Sequence, residues 1–284
     1  MPWYQAPAKI NLGLRVGPRD ATGYHPVDTV MQTVSLSDQL YIEPRDHMLW
    51  EASPNSPALD KDNLVVRAYA WCVDMGASLP PIYGRLDKYI PVGAGLGGGS
   101  SDAAALIRWA FHNSDRLSTP DFMRETAALG KDVPFFIRGG AARAEAYGER
   151  LTPLPTMTSS GVVLANPGIS LSTAAVYQAF DSFCMRDSLA SLDGVHHALV
   201  EGHRVGPEDL VNDLEEAAFL VMPALKDFRG LLRGTADGAV CALSGSGPTY
   251  YIVGEDEDWA EWMAARLRNR GVPWVQPTSV LDSW

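Results

Sequence analysis

Hydrophobic and polar positions along the chain change period several times, and the changes mark out elements. After Asp102, residues Ala103, Leu106, Ile107, Ala110 and Phe111 fall at the i, i+3, i+4, i+7, i+8 spacing of one helical face. Residues 209–225 and 259–267 read as helices as well. Other stretches cluster β-formers. Val34-Ser35-Leu36 and Leu40-Tyr41-Ile42-Glu43 read as strands on either side of Ser37-Asp38-Gln39. Thr249-Tyr250-Tyr251-Ile252-Val253 is a continuous β-rich run, and Gly161-Val162-Val163-Leu164-Ala165 is a short buried strand closed by Asn166-Pro167-Gly168. Strands and helices alternate throughout, so the expected class is α+β, a mixed α/β chain.

A chain of 284 residues permits one large domain or two of about 140. The segment TPLPTMTSSG at 152–161 is rich in Pro, Ser and Thr and is the best candidate boundary. It separates an N-terminal domain, 1–155, from a C-terminal domain, 156–284. The run at 52–60 reads as an exposed loop. With 46% hydrophobic and 20% charged residues the chain can bury a substantial core. A net charge of −11 disfavours non-specific binding to nucleic acid or anionic lipid, without forbidding a local basic pocket. No apolar run is long enough for a membrane span, and MPWYQAPAKINLGL lacks the charged and apolar regions of a signal peptide. Cys72, Cys184 and Cys241 are odd in number and widely spaced, which fits neither a disulfide framework nor a zinc site. A cytoplasmic protein is expected.

Residues 91–104 read PVGAGLGGGSSDAA, with five glycines in fourteen residues. Glycine loses the most freedom on folding, so such a cluster needs a reason. It runs directly into the amphipathic helix, whose first turn has unpaired N–H groups and a positive dipole end. Glycines there let a phosphate approach the backbone, and serine hydroxyls add donors. A purely structural loop is the alternative. The spacing is not a Walker A loop, because Gly99 stands where its lysine belongs. Gly93-Ala94-Gly95-Leu96-Gly97-Gly98 matches G-x-G-x-x-G literally, yet no acidic residue closes a second strand about 20 residues on.

Four further stretches carry polar groups in suggestive places. In PAKINLGL at 7–14, Lys9 and Asn11 share one face of an alternating strand; a snorkelling lysine on an edge strand is the plainer reading. Gly23-Tyr24-His25 lies in a polar turn. Asp132 precedes the apolar run Val133-Pro134-Phe135-Phe136, as a turn or cap residue often does. Leu243-Ser244-Gly245-Ser246-Gly247-Pro248 is a second Gly/Ser loop that reads alone as a tight turn. His196, His197 and His203 lack metal-ligand spacing, and neither Ser100 nor Ser246 sits in G-x-S-x-G.

The order of these segments resembles the GHMP kinase superfamily over nearly the whole chain. Within it, Gly23-Tyr24-His25 and the triple-glycine loop with SSDAA resemble the branch whose alcohol carries a diphosphocytidyl group. The resemblance implies a two-domain GHMP kinase fold with a central cleft for ATP. Pro91, Val92, Gly93, Ala94, Gly95, Leu96, Gly97, Gly98, Gly99, Ser100 and Ser101 match the phosphate-binding loop, and Lys9 and Asp132 match the catalytic positions. Lys9 would then supply the cation missing from the loop. Asn11, Tyr24 and His25 match substrate-contacting positions, and Mg²⁺ is expected with ATP, its protein ligands unassigned. Residues 139–150 contain no lysine, which puts one nucleotide contact of the family in doubt here. A sister kinase for homoserine or mevalonate and a non-catalytic metabolite sensor are the competing readings; the sensor would be expected to have lost Lys9 or Asp132. The partner is a small molecule, and both a monomer and a weak homodimer are open.

Overall fold

The computed structural model describes residues 2–54, 56–114, 122–158, 160–183, 189–207 and 209–283. In chain order it contains β1 (Trp3–Val16), β2 (Val27–Pro44), β3 (Leu49–Ala52), α1 (Leu64–Asp74), β4 (Ile82–Asp87) and α2 (Gly98–Asn113). Next come α3 (Phe122–Glu125), α4 (Val133–Arg138), β5 (Ala141–Glu145), β6 (Arg150–Leu154), β7 (Gly161–Asn166), α5 (Thr173–Asp181) and α6 (Asp193–Val200). The last elements are α7 (Glu215–Val221), α8 (Ala224–Ala236), β8 (Val240–Leu243), β9 (Tyr250–Val253), α9 (Glu257–Asn269) and β10 (Trp274–Ser279). The chain is a mixed α/β protein, as its patterning implies.

It divides into two compact units, each assembled from separate stretches. One comprises Met1–Ala8, Leu36–Pro91 and Gly97–Arg138; the other comprises Lys9–Ser35, Val92–Leu96 and Gly139–Trp284. The long strands β1 and β2 therefore each contribute residues to both.

In the first unit, β4 pairs antiparallel with the C-terminal half of β2, and β3 joins β4 in parallel. α2 packs against α1 and α4. The helical stripe read from sequence is its buried face, since Ala103, Leu106, Ile107 and Ala110 are all fully buried. The helix begins at Gly98, earlier than the apolar stripe alone implies. Asn63 starts α1 by accepting the Val65 N–H on its side chain. β2 runs unbroken through Ser37-Asp38-Gln39, where two strands were expected. Asp38 is fully buried, and its Oδ1 accepts the Tyr89 and Ile90 N–H groups at 2.6 and 2.8 Å. A polar residue that looked like a turn in sequence is thus a strand residue with an interior job.

In the second unit, β2 pairs antiparallel with β5, and β5 with β6. A separate four-stranded sheet has the order β10-β7-β9-β8. Its core gathers Val163, Ala165, Tyr250 and Ile252 from the sheet with Leu225 of α8 and Met263 of α9. The single helix expected over 209–225 is instead a turn, a short helix and the start of another. Residues 211–213 spend their backbone on β1: Leu14 N donates to Val211 O at 2.7 Å, and Asp213 N to Leu14 O at 2.9 Å. Pro223, which has no N–H to continue a helix, then separates α7 from α8. Among the described residues, no helix is long and apolar enough to cross a membrane.

β7 begins where the N-cap of α9 comes closest. A Cβ on Gly161 would lie 1.9 Å from Asp256 O, while Gly254 N donates to Gly161 O at 2.9 Å. Gly161→Ala is therefore expected to lower stability by about 1–3 kcal/mol, as overpacking does. Urea unfolding measures this, and an unchanged midpoint would show that the approach is not tight.

Candidate functional site

The strand β1 takes a lysine where strands rarely take one. Lys9 is only 5% exposed, so the snorkelling geometry open to an edge-strand lysine does not apply. Because strand side chains alternate, Asn11 projects from the same face, and its Oδ1 accepts a short hydrogen bond from Lys9 Nζ. Asn11 is oriented in turn. Its Nδ2 donates to Thr29 Oγ1 at 2.8 Å, and Thr29 Oγ1 donates to Gly13 O at 2.6 Å. The strand is also held from behind by Tyr251, whose buried hydroxyl donates to Asn11 O at 2.9 Å. Burial drives the Tyr251 pKa well above its ordinary value, so that hydroxyl remains a donor.

Two glycine loops meet beside this pair. Lys9 N donates to Leu96 O at 3.0 Å, tying β1 to the first loop. Gly93 and Gly95 have φ values of +66° and +78°, a region closed to most side chains. A Cβ on Gly95 would meet Ser244 O at 2.4 Å and Gly247 O at 2.9 Å. A Cβ on Gly245 would in turn meet Asn11 Oδ1 at 3.3 Å, Gly95 O at 3.3 Å and Lys9 Nζ at 3.4 Å. Ser244 Oγ donates to Gly95 O at 3.0 Å, and Asn212 Nδ2 donates to Leu243 O and Gly245 O. The late Gly/Ser loop, an ordinary tight turn in isolation, is thus packed backbone-to-backbone against the first one and borders the lysine. Ala94 and Leu96 point inward and are buried, whereas Val92 is 62% exposed. Those residues present main chain, not side chain, where the loops meet.

The rest of the glycine run belongs to the other unit. Gly97 is the N-cap of α2, with φ +73°, and no side chain caps the helix. Ser101 N donates to Gly97 O at 3.0 Å, which leaves the N–H groups of Gly98, Gly99 and Ser100 outside the helical ladder. Uncapped amides at the positive end of a sixteen-residue helix fit a polyphosphate. Ser100 is half-buried near Gly130, while Ser101 is fully buried and its Oγ has no hydrogen-bond partner among the described residues. Asp132 immediately precedes α4; its carbonyl accepts the Phe136 N–H at 3.2 Å, and its residue is half-buried. Among the described residues, no group of three or more His, Cys, Asp or Glu could hold a metal ion. A Mg²⁺ held mainly by phosphate oxygens needs no such cage.

The Gly23-Tyr24-His25 turn leads to a second cluster. His25 Nδ1 donates to Gly17 O at 2.9 Å, and Nε2 lies 3.2 Å from Asp181 Oδ1 at the end of α5. Tyr177 and Phe180, also on α5, approach the imidazole at 5.2 and 5.9 Å between ring centroids. Tyr24 is 60% exposed and meets Tyr147 edge-on. Tyr147 donates to Asp20, whose carboxyl is held at about 2 by hydrogen bonds from Thr22 and Tyr147. In the lysine-free stretch 139–150, Arg143 is engaged by both oxygens of Asp28, at 2.8 and 2.7 Å, and by Ser191 at 3.0 Å. Thr29, Asp181, Tyr177 and the 244–247 loop were not singled out as site residues from sequence. Each acts through a partner far away in the chain, which no local pattern reveals.

Residues 63–140 match the GHMP kinases N terminal domain. A 4-diphosphocytidyl-2-C-methyl-D-erythritol kinase from Caulobacter vibrioides is 36% identical over 282 residues, covering 95% of each chain. A crystal structure of 4-(cytidine 5'-diphospho)-2C-methyl-D-erythritol kinase superposes with a TM-score of 0.81 at 32% identity, covering 98% of each chain. The mevalonate kinase of L. major shares the fold alone, with a TM-score of 0.69 at 15% identity over 99% of this chain and 96% of that one. The chain therefore belongs to the 4-diphosphocytidyl-2-C-methyl-D-erythritol kinase family of GHMP kinases.

Proposed function

We propose that the protein transfers the γ-phosphoryl group of ATP to the 2-hydroxyl of 4-diphosphocytidyl-2-C-methyl-D-erythritol, releasing ADP, in the non-mevalonate route to isoprenoid precursors. The observation that carries this reading is the buried Lys9 ammonium, held by Asn11 at the meeting of two glycine loops. The full-length relationship to named kinases of this substrate supports it. Homoserine and mevalonate kinases share the fold at 16% and 15% identity, too distant to carry a substrate.

Phosphoryl transfer asks a protein for alignment and charge neutralisation more than for covalent chemistry. ATP, carried with Mg²⁺ on its phosphates, supplies the transferable group. The main-chain N–H groups of Gly98, Gly99 and Ser100, uncapped at the start of α2, bind the phosphate chain. Lys9 steadies the negative charge spreading over the transferred group; its burial makes that interaction stronger than it would be in water. Asn11 keeps the ammonium in one direction through Thr29. Asp132 accepts or orients the proton of the acceptor hydroxyl. His25, steadied by Gly17 and Asp181, and the exposed ring of Tyr24 offer a polar edge and an aromatic face to the cytosine. The working compartment we propose is the cytoplasm, where Cys72 and Cys241, both buried and without a disulfide among the described residues, remain thiols.

Asp132→Ala is expected to lower kcat by about 10²–10⁴-fold, the usual loss for a general base. ADP affinity measured by calorimetry should stay near the wild-type value. A coupled ADP-release assay with the cytidyl substrate, homoserine and mevalonate reads both the loss and the preference. Turnover of homoserine or mevalonate alone would overturn the substrate assignment.

Asp181→Asn removes the carboxylate beside His25 without changing side-chain size. It should raise KM for the cytidyl alcohol by about 3–10-fold while kcat changes less, the signature of lost uniform binding. An equal fall in kcat and kcat/KM would place Asp181 in the chemistry instead.

A further inference from the structure

Beneath the first turn of α2 lies a buried charge cluster that phosphoryl transfer itself does not use. Lys88, in the segment following β4, donates from Nζ to Asp38 Oδ2 in a short hydrogen bond and to Asp102 Oδ2 at 2.7 Å. The side chains are 6%, 0% and 4% exposed, so the whole cluster is taken out of water. Asp38 also accepts the N–H groups of Tyr89 and Ile90, the residues that lead into the glycine run. Directly above the ammonium is Gly98, the first residue of α2. A Cβ there would lie 3.0 Å from Ile90 Cγ2, 3.1 Å from Lys88 Nζ and 3.3 Å from Asp38 Oδ2. Removing ions from water is costly, and structures keep such clusters only where the geometry compensates.

We propose that Lys88, clamped between Asp38 and Asp102, is a positioning residue for the phosphate-binding turn, and that nucleotide binding there is linked to proton uptake by Asp102. This rests on the reading of α2 as a nucleotide site. With both carboxylates ionised, the three groups sum to one negative charge behind amides that must receive a polyanion. With a proton on Asp102 the sum is zero. Among the described residues, Asp102 Oδ1 is buried with no hydrogen-bond partner, as is the neighbouring Ser101 Oγ. An ionised carboxylate with an unpartnered oxygen in the interior is the costly state, and protonation relieves it. Consistently, burial pushes the Asp102 pKa up to about 8, with Asp38 adding to the effect and Lys88 opposing it. Burial works against the Lys88 charge, and Asp102 and Asp38 more than offset it, so the ammonium persists.

The charges that act on Asp102 are Lys88, from the segment after β4, and Asp38, from β2. The helices packed on α2 carry Arg67, Tyr69, Cys72 and Asp74 on α1 and Arg138 on α4, none of them among the groups that shift it. The sign of the linkage is fixed by these charges. A bound polyphosphate favours the protonated acid, so affinity is greatest below the Asp102 pKa and falls as pH rises through it.

Calorimetric titration with MgATP, without any acceptor alcohol, tests the proposal. Between about pH 7 and about pH 9 the wild-type affinity should weaken by about three- to tenfold, the range open to a single linked proton. Asp102→Asn, which mimics the protonated acid and keeps the oxygen facing Lys88, should abolish that step. Lys88→Met should weaken MgATP binding at least about tenfold and raise KM for ATP more than it lowers kcat, because a buried pair has lost one partner. Circular dichroism establishes that each variant is folded. If Lys88→Met does not fold, the Asp102→Asn arm decides alone. A wild-type pH step retained in Asp102→Asn, or a folded Lys88→Met that binds MgATP like the wild type, overturns the proposal. Wild-type protein that binds MgATP but turns over no alcohol would defeat the substrate assignment and leave these affinities readable.

Discussion

A lysine ammonium inside a strand buried on both faces is the constraint around which the loops of the second unit are arranged. Lys9 gives up nearly all its hydration, a cost of several kcal/mol unless polar partners replace the water. Asn11 is placed by the strand's own period, and Thr29 and Gly13 complete a relay that holds the amide in one orientation. Tyr251 pins the strand from the other side through the Asn11 carbonyl. The charge therefore has a fixed direction before any ligand arrives. Such preorganisation makes a cation effective where negative charge develops, because no reorganisation remains to be done at that moment.

The glycines serve the same end by a different route. Gly95 and Gly245 let two loops, about 150 residues apart in sequence, pack main chain against main chain. Side chains would hold these loops apart and cover the amides. Thr249 N reaches Ala94 O at 3.4 Å, and Asn166 holds Thr249 Oγ1 at 2.9 Å, so the late loop is anchored in the four-stranded sheet. Main chain packed on main chain on one side and a hydrogen-bonded sheet on the other leave little freedom where the loops meet.

Much of this was legible in the residues. The α2 stripe, the β7 and β9 strands and the glycine run all carry a local signal, either a period or a composition. Lys9 and Asn11 were legible as a same-face pair, although burial was not, because the segments that cover β1, around Leu96 and Tyr251, come from far along the chain. The features that escaped were non-local. Asp38 looked like part of a break between strands, since its partners Lys88, Tyr89 and Ile90 lie about fifty residues away. The helix expected over 209–225 failed because β1 claims the backbone of residues 211–213 and Pro223 breaks the remaining helical run in two. Asp181 gains its meaning only from His25.

The arrangement around His25 bears on how selectively a small inhibitor could act. Uncapped amides at a helix terminus are common chemistry, shared by any protein that grips phosphate through main chain. A compound competing for them would find many hosts. The imidazole instead sits among Gly17, Asp181, Tyr177 and Phe180, drawn from two segments whose spacing in the chain is fixed by the fold. Under the proposed cytosine contact, a flat heterocycle shaped to that combination of ring faces and a carboxylate would draw its discrimination from side chains that have to be assembled.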